Sequence, residues 1–291
     1  MSVPRVVRTK ATLRSALTPA RRNGRTIGLV PTMGALHEGH LSLLRAARER
    51  CDIVVMSLFV NATQFAEGED LGEYPRDEQR DLRLAAEAGV DLVFAPGTEE
   101  VYPEGFATFV EVEGLSDVLD GDPSRRGAGH FRGVTTVVAK LLNSVAPDAA
   151  FFGQKDAQQA VVIRRMVRDL DFPVEIVVVP TVRDPDGLAM SSRNAYLTPD
   201  ERERATAINR ALRAAADAAY AGAHAAAALD AGRRVLAESG IEAEYLEARH
   251  ADDLTPAESF NGRPVLMAVA ARVGRARLID NVVVGAADRA S

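Results

Sequence analysis

The sequence contains a single cysteine and no tryptophan, and its apolar runs are short. One cysteine excludes a disulfide framework within the chain. The longest strongly apolar run, residues 53–60, is far too short to cross a bilayer. The first residues, MSVPRVVRTKATLR, have no apolar segment typical of a secretory signal. We therefore expect a cytoplasmic protein that has no membrane partner.

Acidic residues outnumber basic residues in this sequence. Lys and Arg total 35 against 41 Asp and Glu, and the net charge of −6 does not favour a nucleic-acid partner. Hydrophobic residues make up 47% and charged residues 26% of the chain, which is ordinary for a globular protein. A length of 291 residues allows one large domain or two unequal domains.

Residues 1–182 alternate between strand-like and helix-like patterns, which predicts a Rossmann-like α/β domain with a parallel sheet and helical crossovers. The runs 53–60 and 174–179 are almost continuously apolar, as expected of strands buried on both faces. The predicted strands are Thr26–Val30, Ile53–Val60, Leu92–Ala95, Phe109–Val112, Ala149–Phe152 and Val174–Val179. The predicted helices are Leu41–Arg50, Glu78–Ala88, Val134–Val145 and Ala157–Leu170.

A smaller α+β domain is predicted over residues 183–291, where a polar loop interrupts the alternation. Thr198 and Glu201 form a capping box with Pro199 at the first helical position, which predicts a long helix running toward Gly222. A second helix is predicted at Ala225–Glu238. The last three predicted strands, which we expect to pair antiparallel, are Ala243–Ala248, Val265–Val273 and Arg277–Val284.

The stretch GLVPTMGALHEGH, residues 28–40, carries the clearest chemical signal. The predicted strand breaks at Pro31, a loop with Gly34 follows, and His37 and His40 come just before a helix. Backbone N–H groups at a helix start attract anions, and two imidazoles there can donate hydrogen bonds to phosphate oxygens. Two other interpretations are a metal site and a purely structural helix start. A metal site would need further ligands, and none lies at the usual spacings from the two histidines. The one cysteine, Cys51, is expected at the buried end of the helix.

Polar side chains follow the next predicted strand. Asn61 and Gln64 come directly after the apolar run that ends at Val60. Ligands of open parallel sheets bind at the carboxyl ends of strands, so these amides are placed to donate to a small polar substrate. An ordinary polar turn is the alternative.

Two later clusters have side chains suited to phosphate. Lys155 offers a point charge, and the preceding Gly153 allows close approach of the backbone to a ligand. Ser191, Ser192 and Arg193 combine hydroxyls with a guanidinium fork, which is typical of an anion clamp that can close over a nucleotide. Taken alone, the first cluster also fits a solvated helix start and the second a linker between domains.

These clusters together resemble the pantothenate synthetase family, the pantoate–β-alanine ligases, within the superfamily that shares the HxGH signature. The matching strings, in order, are PTMGALHEGH, FVNATQF, HFRGV, FGQKDAQQ and MSSRN. The segment before His130 departs from the family spacing, and the resemblance gives Arg125 and Arg126 no defined role.

The resemblance implies roles for individual residues. Asn61, Gln64 and Gln159 would bind the substrate, and Asp81 would hold Mg²⁺. The implied catalytic residues are His37, His40, Lys155 and Arg193. Among them, His40 is the residue expected to act as the catalytic acid. The implied ATP-binding residues are Pro31, Thr32, Met33, Gly34, His37, Gly39, His40, Gly153, Gln154, Lys155, Asp156, Val182, Met190, Ser191, Ser192 and Arg193.

The implied reaction joins pantoate to β-alanine at the expense of ATP, through a pantoyl adenylate, with release of AMP and pyrophosphate. The resemblance also implies a homodimer formed through the N-terminal domain. Two alternatives remain open. One is a nucleotidyltransferase that passes AMP or CMP to a phosphorylated acceptor, and the other is a nucleotide-binding module without catalytic activity.

Overall fold

The computed structural model describes residues 4–65, 71–72, 74–124 and 129–285. Within these residues the chain forms two compact units, each assembled from several segments. The first unit comprises Met1–Asp117, Gly121–Gly153 and Val162–Pro180, and the second comprises Val118–Asp120, Gln154–Val161 and Thr181–Ser291. The predicted boundary at residue 183 lies close to Thr181, and the two short segments have no counterpart in that prediction.

The first unit is built on a six-stranded parallel sheet with helical crossovers, as predicted. Its strands are β1 Arg5–Val7, β2 Ile27–Thr32, β3 Ile53–Leu58, β4 Leu92–Phe94, β5 Ala149–Gly153 and β6 Glu175–Val179. The helices up to β6 are α1 Lys10–Arg22, α2 Glu38–Arg50, α3 Glu78–Glu87, α4 Thr98–Val101, α5 His130–Val145 and α6 Ala157–Asp169. The strand order is β1-β4-β3-β2-β5-β6.

One side of this sheet is covered by α2 and α3. Leu43, Leu44 and Ala47 of α2 and Ala85 of α3 enter a buried cluster with apolar side chains of the strands. These helical positions recur at the three- and four-residue spacing of a single face, and their burial supplies most of the stability of such a layer. Cys51 lies at the buried end of α2, as the sequence predicts.

The predicted strand at Phe109–Val112 is absent. Residues 107–112 belong to no helix or strand in the described chain. The backbone of Val110 bonds to α5 instead, because its N–H donates to Thr136 Oγ1 (3.0 Å) and its carbonyl accepts from Thr135 Oγ1 (2.6 Å). Two threonine hydroxyls therefore satisfy the backbone groups that a neighbouring strand would otherwise satisfy.

The prediction that residues 174–179 are buried on both faces is also wrong. β6 is an edge strand, and its four apolar residues are only half-buried. Val177 and Val179 pack against the core, whereas the alternate residues Ile176 and Val178 point to the other face. β1 and α1 were not among the predicted elements.

The second unit places two helices on a three-stranded antiparallel sheet, as predicted. The helices are α7 Pro199–Tyr220 and α8 Ala225–Glu238, and the strands are β7 Ala243–His250, β8 Val265–Val273 and β9 Ala276–Val284. The strand order is β7-β8-β9 with antiparallel pairing throughout. The capping box is confirmed, because Thr198 and Glu201 exchange side-chain and backbone hydrogen bonds at the start of α7.

Alanine lets α7 and α8 approach closely. The buried face of α7 includes Ala207, Ala211 and Ala215, which present little more than a methyl group each. Gly232 of α8 meets this face so tightly that a Cβ there would lie 2.9 Å from the Ala211 carbonyl oxygen. In the described part of the chain, no helix has both the length and the apolar character needed to cross a membrane.

Candidate active site

The strand order reverses at β2, which places a ligand-binding crevice at a defined edge of the sheet. From β2 the chain proceeds through β3 and β4 in one direction and through β5 and β6 in the other. Ligands of such sheets bind beyond the carboxyl ends of the strands at this switch point, which here means beyond Thr32 and Gly153. The strand does not break at Pro31 as predicted but continues through Thr32, because Pro31 lies past the last residue that β2 pairs with β5.

His37 and His40 lie together at the start of α2. Their ring centroids are 4.1 Å apart and the rings are tilted by 47°. His37 is the N-cap residue, and the Gly39 N–H donates to its Nδ1 (3.1 Å). The His37 N–H in turn donates to Nδ1 of His40 (3.4 Å), which completes a capping box made of two imidazoles.

This capping arrangement fixes the tautomer of both rings. A neutral imidazole has one acceptor and one donor nitrogen, and here Nδ1 is the acceptor in His37 and in His40. Each ring therefore has its proton on Nε2. The helix start consequently carries two imidazole N–H groups beside its backbone N–H groups, and this chemistry is suited to phosphate oxygens.

Asp81 lies beside this helix start, but it does not fit a magnesium ligand. Its side chain is 2% exposed, and its two carboxylate oxygens accept the backbone N–H groups of Ala35 (2.9 Å) and Leu36 (2.8 Å). Mg²⁺ binds with most of its water shell and needs open carboxylate oxygens. Among the described residues, no group of three or more His, Cys, Asp and Glu side chains is arranged to hold a metal ion.

Asn61 is buried and makes a full set of hydrogen bonds within the first unit. Its side-chain nitrogen donates to Gln64 Oε1 (3.0 Å) and to the Gly133 carbonyl (3.1 Å). Its oxygen accepts the hydroxyls of Tyr102 (2.8 Å) and Thr63 (2.8 Å). Both amide hydrogens and both oxygen lone pairs are used, so Asn61 orients the loop and Gln64 rather than presenting free groups to a ligand.

The HFRG segment supports the same loop from α5. His130 Nδ1 lies 2.7 Å from the Gln64 carbonyl oxygen. A Cβ on Gly133 would lie 2.4 Å from the Thr63 carbonyl oxygen, so only glycine lets α5 pack this close to the loop. The Gln64 side chain is half-buried, and Asn61 occupies its oxygen, so its amide NH₂ is the group best placed to donate to a ligand.

Tyr102 was not identified from the sequence, although it binds Asn61 directly. Burial raises the pKa of the Tyr102 hydroxyl above its usual value, which keeps it protonated as a donor. Lys140 lies 4.3 Å from the ring centroid of Phe106, and burial together with the nearby charge of Lys10 lowers its pKa. The cluster of Tyr102, Phe106 and Lys140 cannot be predicted from the sequence, because no periodic pattern connects these positions.

In the second unit, Asn281 of β9 holds the turn that contains Lys155. The Asn281 side-chain nitrogen donates to the carbonyls of Gln154 (2.9 Å) and Lys155 (2.9 Å), and its oxygen accepts from Gln154 Nε2 (3.0 Å). These bonds fix the backbone around residues 154 and 155, and Lys155 as a whole is half-buried. The sequence analysis missed Asn281, because it lies 127 positions from Gln154.

The two consecutive glutamines of the second unit have different surroundings. Gln158 is buried and is bonded to the chain at residues 118–120, accepting from the Asp120 N–H (3.0 Å) and donating to the Val118 carbonyl (2.6 Å). Gln159 is half-buried, and no hydrogen bond joins its side chain to another part of the described chain. Gln159 therefore remains the substrate-binding candidate of the pair.

The polar loop at residues 183–194 is more ordered than a linker. Val182 and Met190 pair through a backbone hydrogen bond (3.0 Å), which closes a small hairpin that turns at Gly187. Arg183 reinforces the hairpin with two bonds to the buried carboxylate of Asp280 (2.6 and 2.9 Å).

The anion-clamp candidates follow this hairpin in a short 3₁₀-helix, Ser192–Tyr196. Ser191 caps that helix by accepting the Arg193 N–H (3.2 Å). Lys155, Ser191, Asn194 and Asp280 line a small cavity of the second unit. The Asn194 side-chain oxygen is buried there without a hydrogen-bond partner in the described chain, so it can accept a donor from a ligand.

A buried ion network closes the second unit. Asp120 accepts the hydroxyl of Tyr245 (2.9 Å) and a guanidinium N–H of Arg277 (2.7 Å), and Arg277 also binds Glu244 (2.7 Å). Burial alone would lower the pKa of Arg277, but the charges and hydrogen bonds of Asp120 and Glu244 outweigh it and raise that pKa above its usual value. The network holds residues 118–120 against β7 and β9.

The predicted site residues are therefore divided between the two units. The first unit carries the histidine pair, Asn61, Gln64 and Asp81, and the second carries Lys155, Gln159 and the loop of Ser191 and Arg193. Arg125 and Arg126 lie outside the described residues. Together, the switch-point crevice and the paired imidazole donors at a helix start define an α/β protein of the nucleotide-binding class.

Comparison with known proteins identifies the family. The family model for pantoate–β-alanine ligase matches residues 5–283, and the chain belongs to that family. Pantothenate synthetase of Moorella thermoacetica is 56% identical over 280 residues, which cover 96% of this chain and 98% of that protein. Pantothenate synthetase of Pelotomaculum thermopropionicum is 52% identical over 284 residues, which cover 96% of this chain and 99% of that protein.

Solved structures of pantothenate synthetases are also similar to this chain. A crystal structure of pantothenate synthetase from Thermus thermophilus has a TM-score of 0.88 at 50% identity, covering 96% of this chain and 98% of that one. Pantoate–β-alanine ligase from Francisella tularensis, complexed with β,γ ATP and β-alanine, has a TM-score of 0.80 at 33% identity. That likeness covers 96% of this chain and 97% of the Francisella chain.

Proposed function

We propose that this chain ligates pantoate and β-alanine to pantothenate with ATP, through a pantoyl adenylate, and releases AMP and pyrophosphate. The observation that carries the proposal is the pair of imidazoles of His37 and His40 at the start of α2, in a chain of this family. These donors suit the charge that builds on phosphate oxygens when a carboxylate attacks the α-phosphorus of ATP.

The first step needs positioned charge rather than a protein nucleophile. The pantoate carboxylate attacks the α-phosphorus, the bond to pyrophosphate breaks, and a mixed anhydride results. The imidazole donors of His37 and His40 and the backbone N–H groups of α2 stabilise the phosphate oxygens in this step. Lys155 and Arg193 supply positive charge, and Ser191 and Ser192 supply hydroxyl donors.

The second step is attack on the activated carbonyl. The neutral amine of β-alanine adds to the acyl carbon and releases a proton to solvent. The bond from that carbon to the bridging oxygen breaks, and AMP leaves with this oxygen, which came from the pantoate carboxylate. Gln64 and Gln159 hold the pantoate portion through their amide groups, which suit a carboxylate and hydroxyls. Asp81 holds no metal ion in this scheme, because both of its carboxylate oxygens accept backbone N–H groups.

Two other functions fit parts of the same chain. A nucleotidyltransferase that passes AMP or CMP to a phosphorylated acceptor would also use the histidine pair, but its acceptor would require additional cations beside amides such as Gln64. A binding module without catalytic activity would not need two imidazoles whose protons are both held on Nε2. The ligase accounts for both sets of residues, and we place its action in the cytoplasm.

The reaction has a product pattern that separates these functions. With ATP and pantoate alone, mass spectrometry is expected to detect pantoyl adenylate and pyrophosphate, and added β-alanine is expected to convert the adenylate to pantothenate and AMP. A nucleotidyltransferase would not depend on both acids, and a binding module would release no pyrophosphate. Absence of the adenylate with active, folded protein would contradict the proposal.

His40→Ala is expected to slow adenylate formation by roughly 10²–10³-fold, the usual effect of removing one preorganised donor to a developing charge. The His37 side chain keeps its own bond from Gly39 and continues to cap α2, so the fold should persist. Single-turnover rapid-quench kinetics give the rate, and circular dichroism checks the fold. A rate within about threefold of the unmodified protein would contradict this role.

Gln64→Ala and Gln159→Ala are each expected to weaken pantoate binding, because a substrate group that becomes buried in the complex then lacks a hydrogen-bond partner, which costs about 1–3 kcal/mol. Calorimetry with pantoate and with ATP separates the two ligands, and ATP affinity should change little. Gln158→Ala is the neighbouring comparison, and it should act on stability through residues 118–120 instead. Unchanged pantoate affinity in both variants would refute this substrate placement.

We also propose that the chain forms a homodimer through its first unit. β6 leaves an edge of the sheet open, and its apolar residues are half-buried in the single chain. Open apolar edges are normally covered or paired, and closed two-fold dimers are the commonest soluble oligomers.

Light scattering of the full chain is expected to give about twice the 31.2 kDa chain mass. Val178→Lys, on the face of β6 turned away from the core, should shift the protein toward the monomer because it places a charge in the interface. A full-length monomer at micromolar concentration would refute the dimer. A dimer that persists unchanged in Val178→Lys would place the interface away from β6.

A further inference from the structure

The loop between β2 and α2 is held in an unusual conformation by two neighbouring residues of α3. Gly34 and Ala35 have positive φ angles of 87° and 52°. Left-handed backbone is disfavoured for alanine and persists where surrounding contacts impose it. The loop leads directly into His37, so its conformation determines where α2 begins and where both imidazoles lie.

Asp81 supplies the contacts that impose this conformation. Its carboxylate accepts two consecutive backbone N–H groups of the loop, those of Ala35 and Leu36. The carboxylate lies in the first turn of α3, where the helix dipole favours negative charge. Gly34 completes the fit, because a Cβ there would lie 2.9 Å from Asp81 Oδ2.

Arg80 holds the same loop through a carbonyl group. Its Nη1 donates to the Leu36 carbonyl (3.0 Å) and lies 3.8 Å from Asp81 Oδ1. The N–H and the C=O of Leu36 are therefore bound by consecutive residues of one helix. Arg80 is about half exposed and Asp81 is buried, so Asp81 contributes the larger share of this restraint.

We propose that Arg80 and Asp81 are positioning residues, which fix the loop at Gly34–Leu36 and thereby the histidine pair, and that Asp81 is not a metal ligand. The effect on catalysis rests on the function proposed above. The effect on the loop does not, because it needs neither nucleotide nor metal.

The loop can be tested directly by hydrogen exchange in the presence of EDTA and without nucleotide. Asp81→Asn keeps the side-chain shape but turns one acceptor into a donor that faces a backbone N–H. The amides of residues 33–38 are expected to exchange faster than in the unmodified protein. Asp77→Asn is the matched control, because Asp77 caps the same helix without touching the loop, and asparagine caps as well as aspartate.

A kinetic measurement distinguishes positioning from metal binding. Asp81→Asn is expected to lower kcat for adenylate formation by roughly 10–100-fold, the usual effect of a displacement of about 1 Å in a site. Raising the Mg²⁺ concentration should not restore this loss, because no metal ligand was removed. Arg80→Met should give a smaller loss in the same direction.

Unchanged exchange at residues 33–38 together with activity restored by added Mg²⁺ would overturn the proposal and make Asp81 a metal ligand. If Asp81→Asn fails to fold, Arg80→Met decides, because a half-exposed side chain can be removed with little effect on the core. Faster exchange at residues 33–38 in that variant supports the proposal, and unchanged exchange refutes it. If the unmodified protein forms no adenylate, the proposed function fails while the exchange result still stands.

Discussion

Six consecutive residue pairs join β2 to β3 in parallel register, from Ile27 and Ile53 to Thr32 and Leu58. This register makes both strands end at the same level of the sheet, and the Phe59 N–H extends the ladder by donating to the Thr32 carbonyl (3.1 Å). The loop that leads to the histidine pair and the loop that carries Gln64 therefore leave the sheet side by side. A slip of one residue would turn every buried side chain of β3 to the opposite face.

The polar groups near these strand ends divide into two sets with different duties. His37 and His40 carry an imidazole each at the helix start and Gln64 keeps its amide NH₂ for a ligand, whereas the side-chain groups of Asn61 and both oxygens of Asp81 are engaged by the protein. Buried polar groups with complete sets of partners add rigidity, and rigidity is what a site that works by preorganised charge requires. The same division recurs in the second unit, where Asn281 is engaged and Lys155 is half-exposed.

Local signals account for what the sequence predicts well. α8 and β8 have the predicted bounds, and the capping box at Thr198 marks the start of α7, because glycine, proline and cap residues delimit these elements. The histidine motif is predictable for the same reason, since its three-residue spacing is local. Fold class and antiparallel pairing follow from such patterns.

Contacts between distant positions account for what the sequence does not predict. Phe109–Val112 has the composition of a strand, but the hydroxyls of Thr135 and Thr136 take its backbone bonds. The sequence of β6 predicts a central strand, because apolar composition does not reveal that no strand of the described residues lies beyond it. The role of Asn61 depends on Tyr102, which lies 41 positions away, and no periodicity connects the two.

The buried network around Asp120 has a consequence for the order in which the protein is made. Asp120 and Arg277 are 157 positions apart, so Asp120 leaves the ribosome long before Arg277 has been synthesised. Domains usually fold as they emerge, from the N-terminus onward. The second unit cannot be completed in that order, because its earliest segment is held by β9, which is the last described element to be synthesised. All residues of the first unit, with the histidine pair, are synthesised by Pro180, whereas the Lys155 turn lacks its partner until Asn281 of the same strand has been added.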